Sequence, residues 1–463
     1  MNIIEAIDDP NLFAPWFKDR KTWSAWRVFL SALYGLPLND HELTVFQECT
    51  GRSETPQGAA REAWLICGRR AGKSFNLALL AAYTALFRDW RPYLQPGERG
   101  TVMVIATDRR QARTIFRYIV ALVRGVPMLA KKIERETADT IEFAGQVSIE
   151  VHTASFRTAR GYTIIAALCD ELAFWRSDES ANPDVEIINA LRPGMATVPG
   201  SILLCASSPY ARKGALWSAH QRHFGKDGDP VLVWKAPTWT MNPTVPEDVL
   251  AAARDADPAH AAAEYGAQFR TDVESFISLE SVMDCVETDL RETPPSDAVD
   301  FYVAFVDPSG GSHDSMTLAV AHREGDKVVL DAIRERRSPF NPTDVVEEFA
   351  ATLKDYRISQ VHGDRYAGEW PRDRFRSSGI AYETASLAKS GLYREMLPMI
   401  NARSVRLLNN ETLIRQLVDL ERRTGRGGRD TIDHPPSGRD DVANAVAGVL
   451  VLSTESQRGP RIW

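Results

Sequence analysis

Ala63-Trp64-Leu65-Ile66-Cys67 is an apolar run of strand length that passes straight into Gly68-Arg69-Arg70-Ala71-Gly72-Lys73-Ser74, and Phe75–Phe87 continues with helical periodicity. Strand, glycine-containing loop and helix together form the setting in which a Gly-Lys-Ser triplet has chemical meaning. Backbone N–H groups of such a loop can ring a triphosphate, and the head of the helix adds its positive end. Lys73 is expected to reach the β- and γ-phosphates, and the Ser74 hydroxyl to bind magnesium. Gly68, Arg69, Arg70, Ala71, Gly72, Lys73 and Ser74 are therefore the candidate nucleotide-binding residues. The match to GxxxxGK[ST] departs at one place, because Cys67 stands where the first glycine belongs. A turn carrying exposed basic residues is the plainer alternative.

Outward from this loop the chain alternates strands and helices. Thr101–Ala106 reads as a strand, Arg109–Val123 as a helix, and Thr140–Phe143 with Val147–Val151 as a hairpin. Thr163–Cys169 and Ser201–Ala206 are two more apolar strands. The alternation predicts a mostly parallel sheet with helices on both faces. The strand at Ile164–Cys169 ends in Asp170-Glu171. Asp170 is expected in the magnesium shell beside Ser74, and Glu171 to polarise the attacking water. A strand end capped by solvated acids is the alternative for such a pair standing alone. Thr101–Ala106 is expected as the strand between the two motifs, as in NTPases of the additional-strand, catalytic-glutamate (ASCE) type. Ser207-Ser208-Pro209 ends the next strand, where a γ-phosphate sensor or a simple turn would stand. Arg160 is a candidate arginine finger, with a surface arginine as the alternative. Gln47 is a candidate for adenine contact, with a solvated helix residue as the alternative.

Residues 291–299, Arg-Glu-Thr-Pro-Pro-Ser-Asp-Ala-Val, have the composition of a linker. Beyond them Phe301–Val306, Met316–His322 and Lys327–Ile333 read as an antiparallel meander. The helix Thr343–Tyr356, the strand Gln360–His362 and a final helix Asp441–Leu452 follow. Three strands followed by alternating helices and strands is the order of a ribonuclease-H-like fold, by analogy. Asp307 ends the first of these strands, Asp364 ends the fourth, and Asp440-Asp441 open the last helix. In that fold the three places meet at one edge of the sheet. Carboxylate oxygens there suit Mg²⁺ or Mn²⁺, two of which would serve phosphodiester hydrolysis. Taken singly, Asp441 could be a helix cap, and Asp307 and Asp364 ordinary turn acids. Asp433 or His434 would stand behind the ligands, and Lys389 could approach a phosphate or lie solvated. Arg365, Arg372, Arg374 and Arg376 flank one acid, and Arg422, Arg423, Arg426 and Arg429 surround a turn near another. Such local basicity suits a polyanion, or a solvated face of mixed charge.

Composition sets the bounds. The 463 residues are enough for two or three domains, and 44% hydrophobic with 25% charged residues excludes a disordered or fibrous chain. The formal net charge of −7 argues against nucleic acid only if local patches are ignored. Five scattered cysteines without CxxC spacing indicate neither a disulfide framework nor a zinc site. No apolar run is of membrane-spanning length and no secretory pattern is visible, so a reduced, intracellular protein is expected.

The ordered set of motifs resembles the large terminase subunit of tailed bacteriophages, a DNA-packaging motor. The resemblance covers nearly the whole chain, through Gly68–Ser74, Asp170-Glu171 and Ser207-Ser208-Pro209, then Asp307, Asp364 and Asp440-Asp441. It implies an α/β architecture: a P-loop (ASCE-type) ATPase domain over 1–290, with a lid and linker subdomain at about 209–290. A linker at 291–299 and a ribonuclease-H-like nuclease domain over 300–463 complete it. It further implies ATP and Mg²⁺ at the first site and two Mg²⁺ or Mn²⁺ at the second. The implied catalytic residues are Lys73, Arg160, Glu171, Asp307, Asp364 and Asp441, and the implied metal residues are Ser74, Asp170, Asp307, Asp364, Asp440 and Asp441. Double-stranded DNA, a portal protein, a small terminase subunit and a ring of like subunits, commonly a pentamer, are the implied partners, with no membrane. The implied setting is the host cell cytoplasm and, transiently, the portal vertex of a procapsid. A helicase- or repair-type ATPase with an attached nuclease is the runner-up. A nucleotide-binding interaction protein that no longer cuts DNA is the third class.

Overall fold

The computed structural model describes residues 1–463 except 155–160, 176–182, 313, 365–369, 425–429, 436–437 and 456–463. Two compact units divide the chain, Met1–Thr271 and Asp272–Trp463. Among the described residues no helix is long and apolar enough to cross a membrane.

The first unit is built on eight strands: β1 (Glu62–Cys67), β2 (Gly100–Ala106), β3 (Ile133–Glu136), β4 (Thr140–Phe143), β5 (Val147–Thr153), β6 (Thr163–Asp170), β7 (Ile202–Ser207) and β8 (Val231–Ala236). Their order is β3-β4-β5-β2-β6-β7-β1-β8. All neighbours from β5 to β8 run parallel, and β3 and β4 form an antiparallel edge. The central strands are apolar throughout because both faces are covered. In β1, Ala63, Leu65 and Cys67 enter one core, and Trp64 and Ile66 enter the other. This is the period-two alternation of a strand buried on both sides.

One expectation is corrected by this order. The strand between the phosphate-loop strand β1 and the acidic strand β6 is β7, Ile202–Ser207, and not Thr101–Ala106, which is β2 on the far side of β6. Order along the chain and order across a sheet are independent once helices carry the connections.

The second unit contains β9 (Val273–Ser275), β10 (Val286–Glu287), β11 (Tyr302–Asp307), β12 (Met316–Glu324), β13 (Lys327–Arg336), β14 (Gln360–Gly363), β15 (Ala381–Thr384), β16 (Val405–Leu408), β17 (Glu421–Thr424) and β18 (Asp430–Asp433). Its main sheet has the order β10-β16-β13-β12-β11-β14-β15, and β18-β17-β9 form a small second sheet. β11, β12 and β13 are antiparallel neighbours, while β14 and β15 lie parallel to β11. This is the ribonuclease-H-like arrangement that the meander predicted. The closing helix, Asp441–Glu455, packs on β11 and β12. Gly448 permits the approach, since a Cβ there would stand 2.3 Å from the Phe305 ring.

The boundary expected at 291–299 therefore moves. Residues 272–290 belong with the second unit because β9 pairs with β17 and β10 pairs with β16. The expected 209–290 lid also divides. β8 is a strand of the first sheet itself, and only the stretch after it lies over the phosphate loop.

Candidate functional site

β1 delivers the phosphate loop, and the helix Lys73–Leu86 begins directly after it. The loop is held from the far side by the segment after β8. Thr238 Oγ1 donates to the Arg69 carbonyl at 2.8 Å, and Asn242 Nδ2 donates to the Arg70 carbonyl at 2.8 Å. Gly68 has no room for a side chain, because a Cβ would fall 2.2 Å from Thr238 Oγ1. The Gly68 amide donates to Ala236 O and the Arg69 amide to Glu264 O, and the Arg69 guanidinium pairs with Glu264 at 3.2 Å. These two amides thus have acceptors within the protein. The first-turn amides that follow Gly72 have no intrahelical acceptor and remain suited to phosphate oxygens.

Lys73 is 5% exposed. Its Nζ donates to the carbonyls of Cys67 and Gly68, both at 3.2 Å, and to Ser208 Oγ at 3.0 Å, and it stands 3.3 Å from Glu171 Oε1. Glu171 holds a left-handed backbone, φ +50°. Few non-glycine residues adopt it, and it costs about 1–3 kcal/mol. The turn brings Glu171 Oε2 onto the Ser207 hydroxyl at 3.3 Å and the Ser208 amide at 3.2 Å. The intervening strand β7 therefore ends between the lysine and the glutamate and touches both.

Ser74 Oγ donates to Asp170 Oδ2 at 2.8 Å, and Gln111 Nε2 donates to the same oxygen at 2.9 Å. Asp170 has no exposure, and its Oδ1 has no hydrogen-bond partner among the described residues. Burial, with the Glu171 charge behind it, pushes the Asp170 carboxyl up to about 6. An unpartnered carboxylate oxygen beside a serine hydroxyl fits a divalent cation. Gln47 donates to the Ser53 carbonyl at 3.2 Å and enters no described contact with the phosphate loop. Arg160 lies outside the described residues.

The second site is a cavity of ≈ 780 Å³ lined by Asp307, Asp364, Asp440 and Asp441 together with Asp314 and Asn444. Burial pushes the Asp307 carboxyl well up, and the charges of Asp441, Asp364 and Asp440 add to the rise. Burial also raises Asp441 to about 6, with Asp314 and Asp440 contributing. Asp441 Oδ2 accepts the Ser315 amide at 3.2 Å, and Asp364 Oδ2 accepts Asn444 Nδ2 at 3.2 Å. Asp307 and Asp441 are raised chiefly by burial and further by like charge, and a divalent cation offsets both costs of ionising them. The donor set fits Mg²⁺ or Mn²⁺.

Asp440 is different. It is 4% exposed, and its Oδ2 accepts the Tyr393 hydroxyl at 2.8 Å and lies 3.1 Å from Lys389 Nζ. Lys389 also donates to Asp433 Oδ1 at 2.6 Å. Asp433, His434 and Asp440 bring ligand atoms within 4.8 Å of one another. The Lys389 ammonium already supplies positive charge to this trio. Lys389 is thus anchored between two acids, Asp433 and Asp440. Arg365, Arg426 and Arg429 fall outside the described residues.

Sequence reasoning missed Gln111, Asn444 and Tyr393. Asn444 follows Asp441 by three residues on one helix face, a spacing that could have been read. Gln111 and Tyr393 carry no comparable signal.

The fold and its two sites define a P-loop unit of the additional-strand type followed by a ribonuclease-H-like unit with a carboxylate cluster. No protein-family model and no curated relative matches the chain. Among solved structures it is similar to the HK97 bacteriophage large terminase, at 17% identity over 85% of this chain and 91% of that one, TM-score 0.38. It is similar to the large terminase of a thermophilic bacteriophage in complex with ATP-gamma-S, at 12% identity over 93% and 98%, TM-score 0.38. It is also similar to the large terminase nuclease of the thermophilic phage G20c with bound magnesium, at 15% identity over 38% and 96%, TM-score 0.34.

Proposed function

We propose that the chain is the large-subunit motor of a viral DNA-packaging terminase, an ATPase that drives double-stranded DNA into a procapsid, joined to an endonuclease that cuts concatemeric DNA. One observation carries the reading: a single chain holds both a Lys73–Glu171–Ser208 cluster at parallel strand ends and an acidic cluster around Asp307 in a ribonuclease-H-like unit.

In the first site Lys73 binds the β- and γ-phosphates, and Ser74 and Asp170 hold Mg²⁺. Glu171 orients the attacking water and takes up its proton. Because Glu171 Oε2 rests on Ser207 and Ser208, a change at the γ-phosphate is felt by the end of β7. Arg160 is retained as a finger supplied to a neighbouring subunit. In the second site Asp307, Asp364 and Asp441 hold the metals, and Asp440 orients the head of the last helix through Lys389 and Tyr393. Divalent cations, when bound at the two sites, neutralise phosphate oxygens and acidify a water. The reading includes a portal protein, a small terminase subunit and a subunit ring as partners, and the host cytoplasm as the setting.

The test uses the purified full chain. Expected are DNA-stimulated ATP hydrolysis and Mn²⁺-dependent nicking of supercoiled plasmid, with duplex translocation but no strand displacement. Strand displacement would transfer the assignment to the helicase or repair class. Absence of both hydrolysis and nicking would favour a nucleotide-binding interaction protein.

A further inference from the structure

The helix Arg109–Arg124 carries five arginines and no acid, in a chain whose net charge is −7. At about 100° per residue the five fall within roughly 100° of arc, opposite Ile115, Ile119 and Leu122, which are fully buried. Arg124 pairs with Glu136 at 2.8 Å. Arg109, Arg110, Arg113 and Arg117 are exposed and join no ion pair among the described residues. Folding does not explain them. Arginines in the first turn oppose the helix dipole, and only the Asp108 cap, which accepts from the amides of Arg110 and Gln111, offsets that.

The same helix is tied to the nucleotide site. Gln111 lies on the edge of the inward face and donates to Asp170 Oδ2. Arg110, next to it, and Arg113, two residues on, are exposed. One element thus presents guanidinium groups without an ion pair among the described residues outside, Arg117 donating only to the Thr114 hydroxyl at 3.2 Å, and a hydrogen bond to the Asp170 carboxylate inside.

We propose that the outer face of the Arg109–Arg124 helix grips the phosphate backbone of duplex DNA, and that Gln111 is the positioning residue linking that grip to Asp170. The inference rests on the DNA-motor reading above and names the surface and the link which that reading lacks. Arg109, Arg113 and Arg117 follow one another at steps of about 6 Å, which suits a line of phosphates better than a single anion. Guanidinium groups bind phosphate oxygens in pairs. The outward arc holds no amide side chain that would read base edges, so the grip is independent of sequence. Four contacts of this kind give salt-sensitive binding that a moving protein can release.

The experiment measures binding of the full chain to a duplex of arbitrary sequence by fluorescence anisotropy, with divalent metal removed so that nothing is cut. The variant combines Arg110→Ala, Arg113→Ala and Arg117→Ala. Affinity is expected to fall at least about tenfold, and the slope of log K against log salt to shrink by about 3, near 0.9 per phosphate lost. Its melting temperature should stay level or rise, since charges opposing the dipole are gone. Parental affinity and slope would overturn the proposal, and so would a binding loss that merely follows a lower melting temperature. Gln111→Leu should keep the DNA affinity while the ratio of DNA-stimulated to basal hydrolysis falls toward one. An unchanged ratio would overturn the link. If the parental chain hydrolyses no ATP, the motor reading fails, and the affinity and salt arms still decide the arginine face.

Discussion

The two sites solve the problem of buried carboxylates in opposite ways. In the first unit Glu171 faces Lys73, and Asp170 is bonded by Ser74 and Gln111, so each acid has a cation or a donor from the protein. In the second unit Lys389 attends to Asp440 and Asp433, while Asp307 and Asp441 have neutral donors, Asn444 and the Ser315 amide, and like charges beside them. Both are built at the ends of parallel strands, yet the first sets Lys73 against two acids, while at the second Lys389 and Arg439 share a cavity with Asp307, Asp314, Asp364, Asp440 and Asp441. A site with surplus negative charge has a standing demand for divalent cations, because like charges crowded in a poorly solvated cavity repel strongly.

The sharpest way to break this contrast is to disable each half alone. Glu171→Gln should lower ATP hydrolysis by about 10²–10⁴-fold while nucleotide affinity stays within a few-fold, read by phosphate release and by nucleotide titration. Hydrolysis at the parental rate would remove Glu171 from the mechanism. Asp364→Ala should abolish Mn²⁺-dependent nicking and leave ATP hydrolysis in place. Nicking that survives would show that the acidic cluster is not the cutting site.

A smaller effect tests the burial of Asp441 and the like charge beside it. Asp441 keeps its proton up to about pH 6 when folded, against about 4 in an unfolded chain. Between those values the folded state binds more protons, so stability falls as pH rises through the window. Asp441→Asn escapes that loss. Without metal it should be more stable than the parent by up to about 2 kcal/mol at pH 8, and the advantage should vanish below about pH 4. Denaturant melts at the two pH values would read it, and a variant destabilised at pH 8 would end this account. Asp440→Asn should behave oppositely and cost about 1–3 kcal/mol, because it strips a partner from Lys389. The smallest change, Tyr393→Phe, should cost about 1 kcal/mol through the lost hydrogen bond to Asp440.

The phosphate loop was legible because its residues are contiguous, and a strand running into Gly-Lys-Ser leaves few local geometries. Asp307, Asp364 and the Asp440-Asp441 pair were legible as strand and helix ends, but their convergence needed the analogy of fold. Gln111 and Tyr393 were not legible. Each is an ordinary helix residue until a distant carboxylate is packed against it. The order of the first sheet was misjudged for the same reason, since nothing local to β7 says that it inserts between β1 and β6.

By itself the sequence determined the element types, the alternation of apolar residues between two faces, and the acids at element ends. Those features depend on neighbours a few residues away, where backbone sterics and side-chain periodicity act. Only the tertiary structure decided that Ser208 bridges Lys73 and Glu171, that Asp440 pairs with Lys389 while Asp441 accepts the Ser315 amide, and that residues 272–290 join the second unit. Those outcomes are set by burial and hydrogen bonding between groups far apart in the chain, which exist only once the sheets have formed.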